Sequence, residues 1–151
     1  MVAPVESLVV VPDSLSDTEV APLLCAGIIP FNALRHSSAF PGDPVAMLGI
    51  GGLGHLGIQF ANKFGYQVVA IGRGSENAVL AKKLGATVYI DSRATNAVEV
   101  LQKRGGAQVI LATAPSSKAM SERIDGLGPN GTLMVVEVIF DPLEVTPVPL
   151  I

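Results

Sequence analysis

Five short apolar, β-branched runs, Val45–Leu48, Gln67–Ile71, Thr87–Ile90, Gln108–Ala112 and Thr132–Val138, recur about every 20 residues along the chain. Between them lie helical patterns over Leu53–Phe64, Glu76–Leu84, Ala94–Lys103 and Ser117–Ile124, each followed by a glycine able to end it. Strands this uniformly apolar are buried on both faces, and alternation of β with α supplies the cover by laying crossover helices on either side of a parallel sheet. The rhythm therefore predicts an α/β domain with a doubly wound sheet of five strands.

The first strand runs straight into Gly49-Ile50-Gly51-Gly52-Leu53-Gly54, a GxGxxG pattern that opens a helix. In that setting Gly49 permits the tight turn, Gly51 lets the backbone approach a pyrophosphate, and Gly54 lets helix and strand pack closely. The helix N-terminus then offers unpaired amides and a partial positive charge to the phosphates. The plainer alternative is a tight βα turn with no ligand. Four further βα repeats favour dinucleotide binding and a Rossmann-type strand order of 3-2-1-4-5. At the end of the second strand, where an acidic residue usually holds the ribose of NAD, stands Ala70-Ile71-Gly72-Arg73-Gly74. No carboxylate occupies the position. Gly72 leaves space for a 2′-phosphate and Arg73 can pair with it through a planar fork of donors, so NADP(H) is expected over NAD(H). The competing reading makes Arg73 a solvated loop residue, with Glu76 or a water serving the ribose.

Upstream, Glu6–Val11 is an apolar run stopped by Pro12, read as a strand. Ser16 and Glu19 form a capping-box pattern that opens a helix through Leu34, kinked or split at Pro30. Residues 1–34 are thus read as a lead-in strand and helix, and residues 35–151 as the nucleotide-binding domain. The segment Asp141–Ile151 holds Pro142, Pro147 and Pro149 and is expected to be extended. Charged residues are only 15% and hydrophobic residues 49% of the 151, against about 25% charged in an average domain, so part of the surface is apolar. A net charge of −3 without a basic run argues against nucleic acid and anionic membranes as partners. No apolar stretch reaches the roughly 20 residues that span a bilayer. The start Met1-Val2-Ala3-Pro4 has no basic leader region, and the single cysteine, Cys25, excludes an internal disulfide. A cytoplasmic location is expected.

Several separated motifs resemble the zinc-containing medium-chain alcohol dehydrogenases from Glu6 to about Pro149: Pro12-Asp13-Ser14-Leu15-Ser16, Ala21-Pro22-Leu23-Leu24-Cys25-Ala26-Gly27, Pro41-Gly42-Asp43, the Gly49–Gly54 loop and Ala81-Lys82-Lys83-Leu84-Gly85-Ala86. The resemblance implies a coenzyme-binding domain of an enzyme that moves a hydride between nicotinamide and an alcohol or aldehyde. It implies that Cys25 ligates the catalytic zinc of a complete enzyme, with the other ligands on a GroES-like domain that these residues do not include. It also implies that Leu53, Thr113, Ala114 and Val136 line the nicotinamide pocket, and that a homodimer forms through a sixth strand that this chain lacks. Thr132–Val138 would then be an open apolar edge. Cofactor contacts are expected from Gly49, Gly51, Gly52, Leu53, Gly54, Gly72, Arg73, Thr113, Ala114 and Val136.

Some residues depart from the family pattern. Ile29 replaces a threonine expected near the nicotinamide, and Glu137 stands where glycine is more usual, where a buried anion would be costly. A lone cysteine is most often a buried small hydrophobe, the state expected for Cys25 here. His36 and His55 lack metal-ligand spacing and are expected to be structural or surface residues. No catalytic set is complete in the chain. Two other functions fit the residues less fully: a free-standing NADP(H)-binding module without turnover, and a zinc-free quinone reductase relative.

Overall fold

In the computed structural model, which describes residues 2–147, five parallel strands form one sheet. They are β1 (Pro44–Leu48), β2 (Gln67–Gly72), β3 (Val88–Asp91), β4 (Ala107–Ala112) and β5 (Leu127–Val135), in the order β3-β2-β1-β4-β5. This is the order expected from the sequence. The chain starts in mid-sheet at β1, works outward to β3, then crosses back to β4 on the other flank of β1. The reversal leaves a crevice at the carboxyl ends of β1 and β4, the place where open α/β sheets hold their ligands.

The helices are α1 (Asp17–Val20), α2 (Ile28–Arg35), α3 (Gly52–Lys63), α4 (Ala78–Lys83), α5 (Ala97–Gln102) and α6 (Ser117–Ser121). Successive strand residues point to opposite faces, so the sheet has two cores. Leu34 of α2, Ile58 and Ala61 of α3 and Ala81 of α4 pack on Val45, Met47, Val68, Val109 and Leu111. On the other face Ala97 and Leu101 of α5 and Met120 of α6 pack on Ala46, Leu48, Val69, Ile110 and Ala112. Full burial of one Leu, Ile or Met side chain contributes roughly 1.5–3 kcal/mol. A chain of aromatic contacts ties α2 to α3: the Phe31 ring lies 5.5 Å from Phe60 and 5.6 Å from Phe64 between centroids.

Three expectations need correction. Glu6–Val11 is no strand: Val5–Ser7 makes one 3-10 turn and the residues after it find no sheet partner, leaving Val10 92% exposed. Pro30 does not split its helix; the helix expected through Leu34 is interrupted earlier, at residues 21–22, between α1 and the turn that follows. A π turn over Leu23–Gly27 runs into α2, and such a wide turn relieves the clash between a proline ring and the carbonyl four residues back. Pro30 is buried inside the first turn of α2. The fifth strand begins earlier than its β-branched run and stops earlier: Ala107 pairs with Leu127 but Val109 pairs with Thr132, so residues 128–131 bulge out, with Asn130 at φ 58°.

The capping box is present, the Glu19 carboxylate accepting from the Ser16 amide at 2.9 Å and from its hydroxyl at 2.7 Å. Those bonds hold the Glu19 carboxyl below its ordinary pKa. β5 is one of the two edge strands, opposite β3, with Val135 at its end and Val138 just beyond it exposed. Glu137 is only half-buried, and its Oε1 accepts from the Val138 amide at 3.1 Å. Residues 141–147 are neither helix nor strand; residues 148–151, Pro149 among them, lie outside the described residues.

Candidate functional site

The turn from β1 into α3 is built around two glycines that no other residue can replace. Gly49 has φ +105°, and a Cβ there would meet the Thr113 hydroxyl at 3.0 Å and the Ala114 amide at 3.1 Å. A Cβ on Gly54 would collide with the carbonyl oxygen of Gly49, so the glycine is what lets the helix seat against the turn. Gly51 and Gly52 face open space, with nothing within 4 Å of a Cβ. Their amides, at the start of a twelve-residue helix, are free to approach an anion. Leu53 is half-buried on the same first turn.

Thr113 is 5% exposed, and its hydroxyl lies 3.1 Å from both the Leu48 and Gly49 carbonyl oxygens, donating between them. It braces the loop from behind and is not a wall of the crevice. Val136 lies past the end of β5, its amide donating to the Ala112 carbonyl at 3.2 Å and its side chain packed on the α2–α3 side of the sheet.

In the crevice sits a cavity of about 600 Å³, within the range of roughly 300–1,000 Å³ usual for small-molecule sites. Its walls come from strand ends: Leu48 and Gly49 at the end of β1, Ile71, Gly72 and Arg73 at the end of β2, Ser92 and Arg93 after β3, and Ala114, Pro115 and Ser116 after β4. Of the residues expected from the sequence it brings together Gly49, Gly72, Arg73 and Ala114. It also adds Arg93, Lys118 and Arg123, which the sequence reading did not single out. Four cations thus line the cavity against one carboxylate, Glu122, which pairs with Arg123 at 3.0 Å. The Arg123 Nε is buried and without a hydrogen-bond partner among the described residues.

The loop carrying Arg73 is clasped by β3 and the residue after it. The Tyr89 hydroxyl donates to the Gly74 carbonyl at 2.5 Å, the Gly74 amide donates to Asp91 Oδ1 at 2.7 Å, and the Ser92 hydroxyl donates to the Gly72 carbonyl at 2.8 Å. The same Asp91 Oδ1 accepts from the Arg93 amide at 2.9 Å. These amide bonds, first from Arg93 and then from Gly74, hold the Asp91 carboxyl below its ordinary pKa. Burial, with the charges of Asp91 and Glu76 behind it, pushes the Tyr89 phenol up. Gly72 does not leave open room, as the sequence suggested: the space a Cβ would take is filled by the Tyr89 hydroxyl.

Cys25 stands on the π turn and is exposed, not the buried hydrophobe expected of it. Its helical turn buries Gly27 against the protein and turns Leu24 and Cys25 outward. No group of three His, Cys, Asp or Glu residues that could hold a metal occurs among the described residues, so one thiol does not make a zinc site. His36 and His55 bond locally, to the carbonyls of Asn32 at 2.9 Å and Gly52 at 3.2 Å. Among the described residues no helix is long and apolar enough to cross a membrane.

Comparison with known proteins gives the same picture. Residues 52–151 match the family described as zinc-binding dehydrogenase. The chain is 47% identical over 134 residues to alcohol dehydrogenase patD of Penicillium expansum, covering 89% of this chain and 39% of that protein. It is 45% identical over 134 residues to the patD alcohol dehydrogenase of Aspergillus clavatus, covering 89% and 34%. The crystal structure of an alcohol dehydrogenase zinc-binding domain protein from Burkholderia ambifaria superposes with a TM-score of 0.86 at 25% identity, covering 93% of this chain and 40% of that one. The chain therefore spans well under half the length of these relatives. By family match, sheet order and glycine turn together, it belongs to the zinc-binding dehydrogenases, as their Rossmann-type nucleotide-binding domain.

Proposed function

We propose that this domain binds NADP(H) in preference to NAD(H), and that it serves an enzyme oxidising an alcohol or reducing an aldehyde. The observation that carries the coenzyme preference is the cationic cavity at the strand ends, with Arg73 closing β2 where a ribose-binding carboxylate would otherwise stand. On this reading Gly49, Gly51, Gly52, Leu53 and Gly54 form the cradle for the pyrophosphate, whose charge suits the amides and dipole of α3. Ala114 lines the nucleotide, while Gly72 and Thr113 position their neighbours and Val136 supports the floor. Arg73 pairs with the 2′-phosphate, a group that a planar guanidinium binds with two parallel hydrogen bonds. When bound, the coenzyme supplies the hydride acceptor or donor.

Zinc enters this reading only as the metal of a longer enzyme, to which Cys25 contributes one thiolate; catalytic zinc sites use three protein ligands. The exposed apolar residues near the N-terminus, Val5, Leu8, Val9, Val10, Leu24 and Ile28, fit a companion GroES-like domain as the surface that covers them. Residues 35–147 hold the sheet and the cavity, and residues 2–34 lead into them. The homodimer and the cytoplasmic setting expected from the sequence are part of the same proposal.

Calorimetric titration of the chain and of Arg73→Ala with NADPH and NADH tests the coenzyme reading. Loss of a charge-assisted pair weakens NADPH about tenfold or more and leaves NADH nearly unchanged. Equal losses for both coenzymes would overturn the preference.

A further inference from the structure

The Asp91 carboxylate does something that neither the family nor the glycine motif assigns: one of its oxygens, Oδ1, accepts hydrogen bonds from the Gly74 amide at 2.7 Å and the Arg93 amide at 2.9 Å. The residues so joined are Arg93 itself and the immediate neighbour of Arg73. Both arginines are exposed, and both line the cavity. They belong to different loops, one after β2 and one after β3, which run side by side because these strands pair in register at Gly72 and Asp91. We propose that Arg73 and Arg93 form a two-armed clamp for a phosphate monoester on the adenosine ribose, with Arg93 a direct binding residue and Asp91 the positioning residue that fixes both arms. The inference rests on the NADP(H) reading and deepens it.

Three physical points support it. Two flexible arginines converge on one phosphate only at an entropic cost from their side chains and from the loops that carry them, and anchoring both backbones to one atom lowers the loops' share. The anchoring oxygen is occupied by two amides, so the carboxylate spends its acceptor strength on the loops. The Tyr89 hydroxyl bond to the Gly74 carbonyl and the Ser92 hydroxyl bond to the Gly72 carbonyl brace the Arg73 arm from both sides. The remaining wall of the cavity carries Lys118 and Arg123, with Arg123 tied to Glu122.

Titration with 2′,5′-ADP and with 5′-AMP, which differ by the phosphate in question, tests the clamp on the chain itself and on Arg73→Ala, Arg93→Ala, Arg93→Lys and Asp91→Asn. The expected result is that Arg93→Ala weakens 2′,5′-ADP about tenfold while 5′-AMP binding moves by less than about twofold, since only the charge-assisted bonds to the extra phosphate are lost. Arg93→Lys recovers part of the loss, and its salt dependence is steeper than that of Arg93→Ala. Asp91→Asn lowers the preference for 2′,5′-ADP with both arginines still present, an effect that a loss of fold, monitored by thermal melting, would not confine to one nucleotide. If Arg73→Ala abolishes the preference and Arg93→Ala leaves it at the starting value, the clamp is overturned and the NADP(H) reading stands. If the unaltered chain binds the two nucleotides equally, or neither, the NADP(H) reading fails and the clamp with it. Arg93 is an exposed loop residue, so its replacement tests the clamp even where Asp91→Asn does not fold.

Discussion

A methyl group on residue 54 would land on the carbonyl oxygen of Gly49, whereas one on residue 52 would meet nothing within 4 Å. The two substitutions separate the packing role of the glycine turn from its role in admitting a ligand. Gly54→Ala should cost about 1–3 kcal/mol, the usual penalty for forcing backbone apart in a packed site, seen as a lowered melting temperature together with lost NADPH affinity. Gly52→Ala should leave the melting temperature nearly unchanged and weaken NADPH only, because the added methyl stands where a phosphate approaches. Equal melting of both variants and the parent would contradict the close approach. Glu19 permits a pH test. Its carboxyl is held below the ordinary value by the Ser16 hydroxyl and then the Ser16 amide, so its contribution is present above the unfolded-state pKa and is lost as pH falls through the folded value. Glu19→Gln should therefore melt slightly below the parent at pH 7, and the gap should close as pH falls through the folded value of Glu19; a difference that stays constant down into acid would place the effect elsewhere.

At the level of elements, what could be read from the chain is what depends on local pattern. The strands were legible because each is a short, mostly apolar run with β-branched residues in it, bounded by turn residues, and the Gly49–Gly54 turn because its glycines sit between a strand and a helix. Glu6–Val11 has the composition of a strand, but pairing is a tertiary fact, and no sheet edge reaches it. Pro30 reads as a helix break in isolation; the π turn that accommodates it has no sequence signature. The start of β5 was hidden because Gly128-Pro129-Asn130-Gly131 reads as a turn, while in the fold it is a bulge inside a continuing strand. Arg93, Lys118 and Arg123 were missed for a different reason. They are unremarkable residues of a loop, a helix and a helix end until the order β3-β2-β1-β4-β5 brings the segments after β3 and β4 to one crevice. For Arg93 the signal that could have found it is its position just past a strand's carboxyl end, where such sheets bind ligands; Lys118 and Arg123 lie further along the chain and carry no such signal.

The whole molecule has a well-filled centre and apolar extremities. Val10 is 92% exposed at one end of the chain and Phe140 97% at the other, well beyond the scattered single hydrophobes of an ordinary surface. Val10→Lys with Phe140→Lys should reduce light scattering of concentrated solutions while shifting the melting temperature by only about 1 °C, since exposed substitutions rarely change stability. A large fall in melting temperature would mean that these residues pack on the domain. The cavity divides in a similar way between what is wedged and what is loose. Its cradle is locked by backbone contacts and a buried threonine, while Arg73 and Arg93 of its charged rim stand exposed just past the ends of β2 and β3. If Arg73 and Arg93 bind the coenzyme as proposed, coenzyme choice in such a molecule is free to drift in evolution: exchanges at these two exposed positions would retune it one step at a time, with no compensating change in the scaffold and no unstable intermediate sequence to cross.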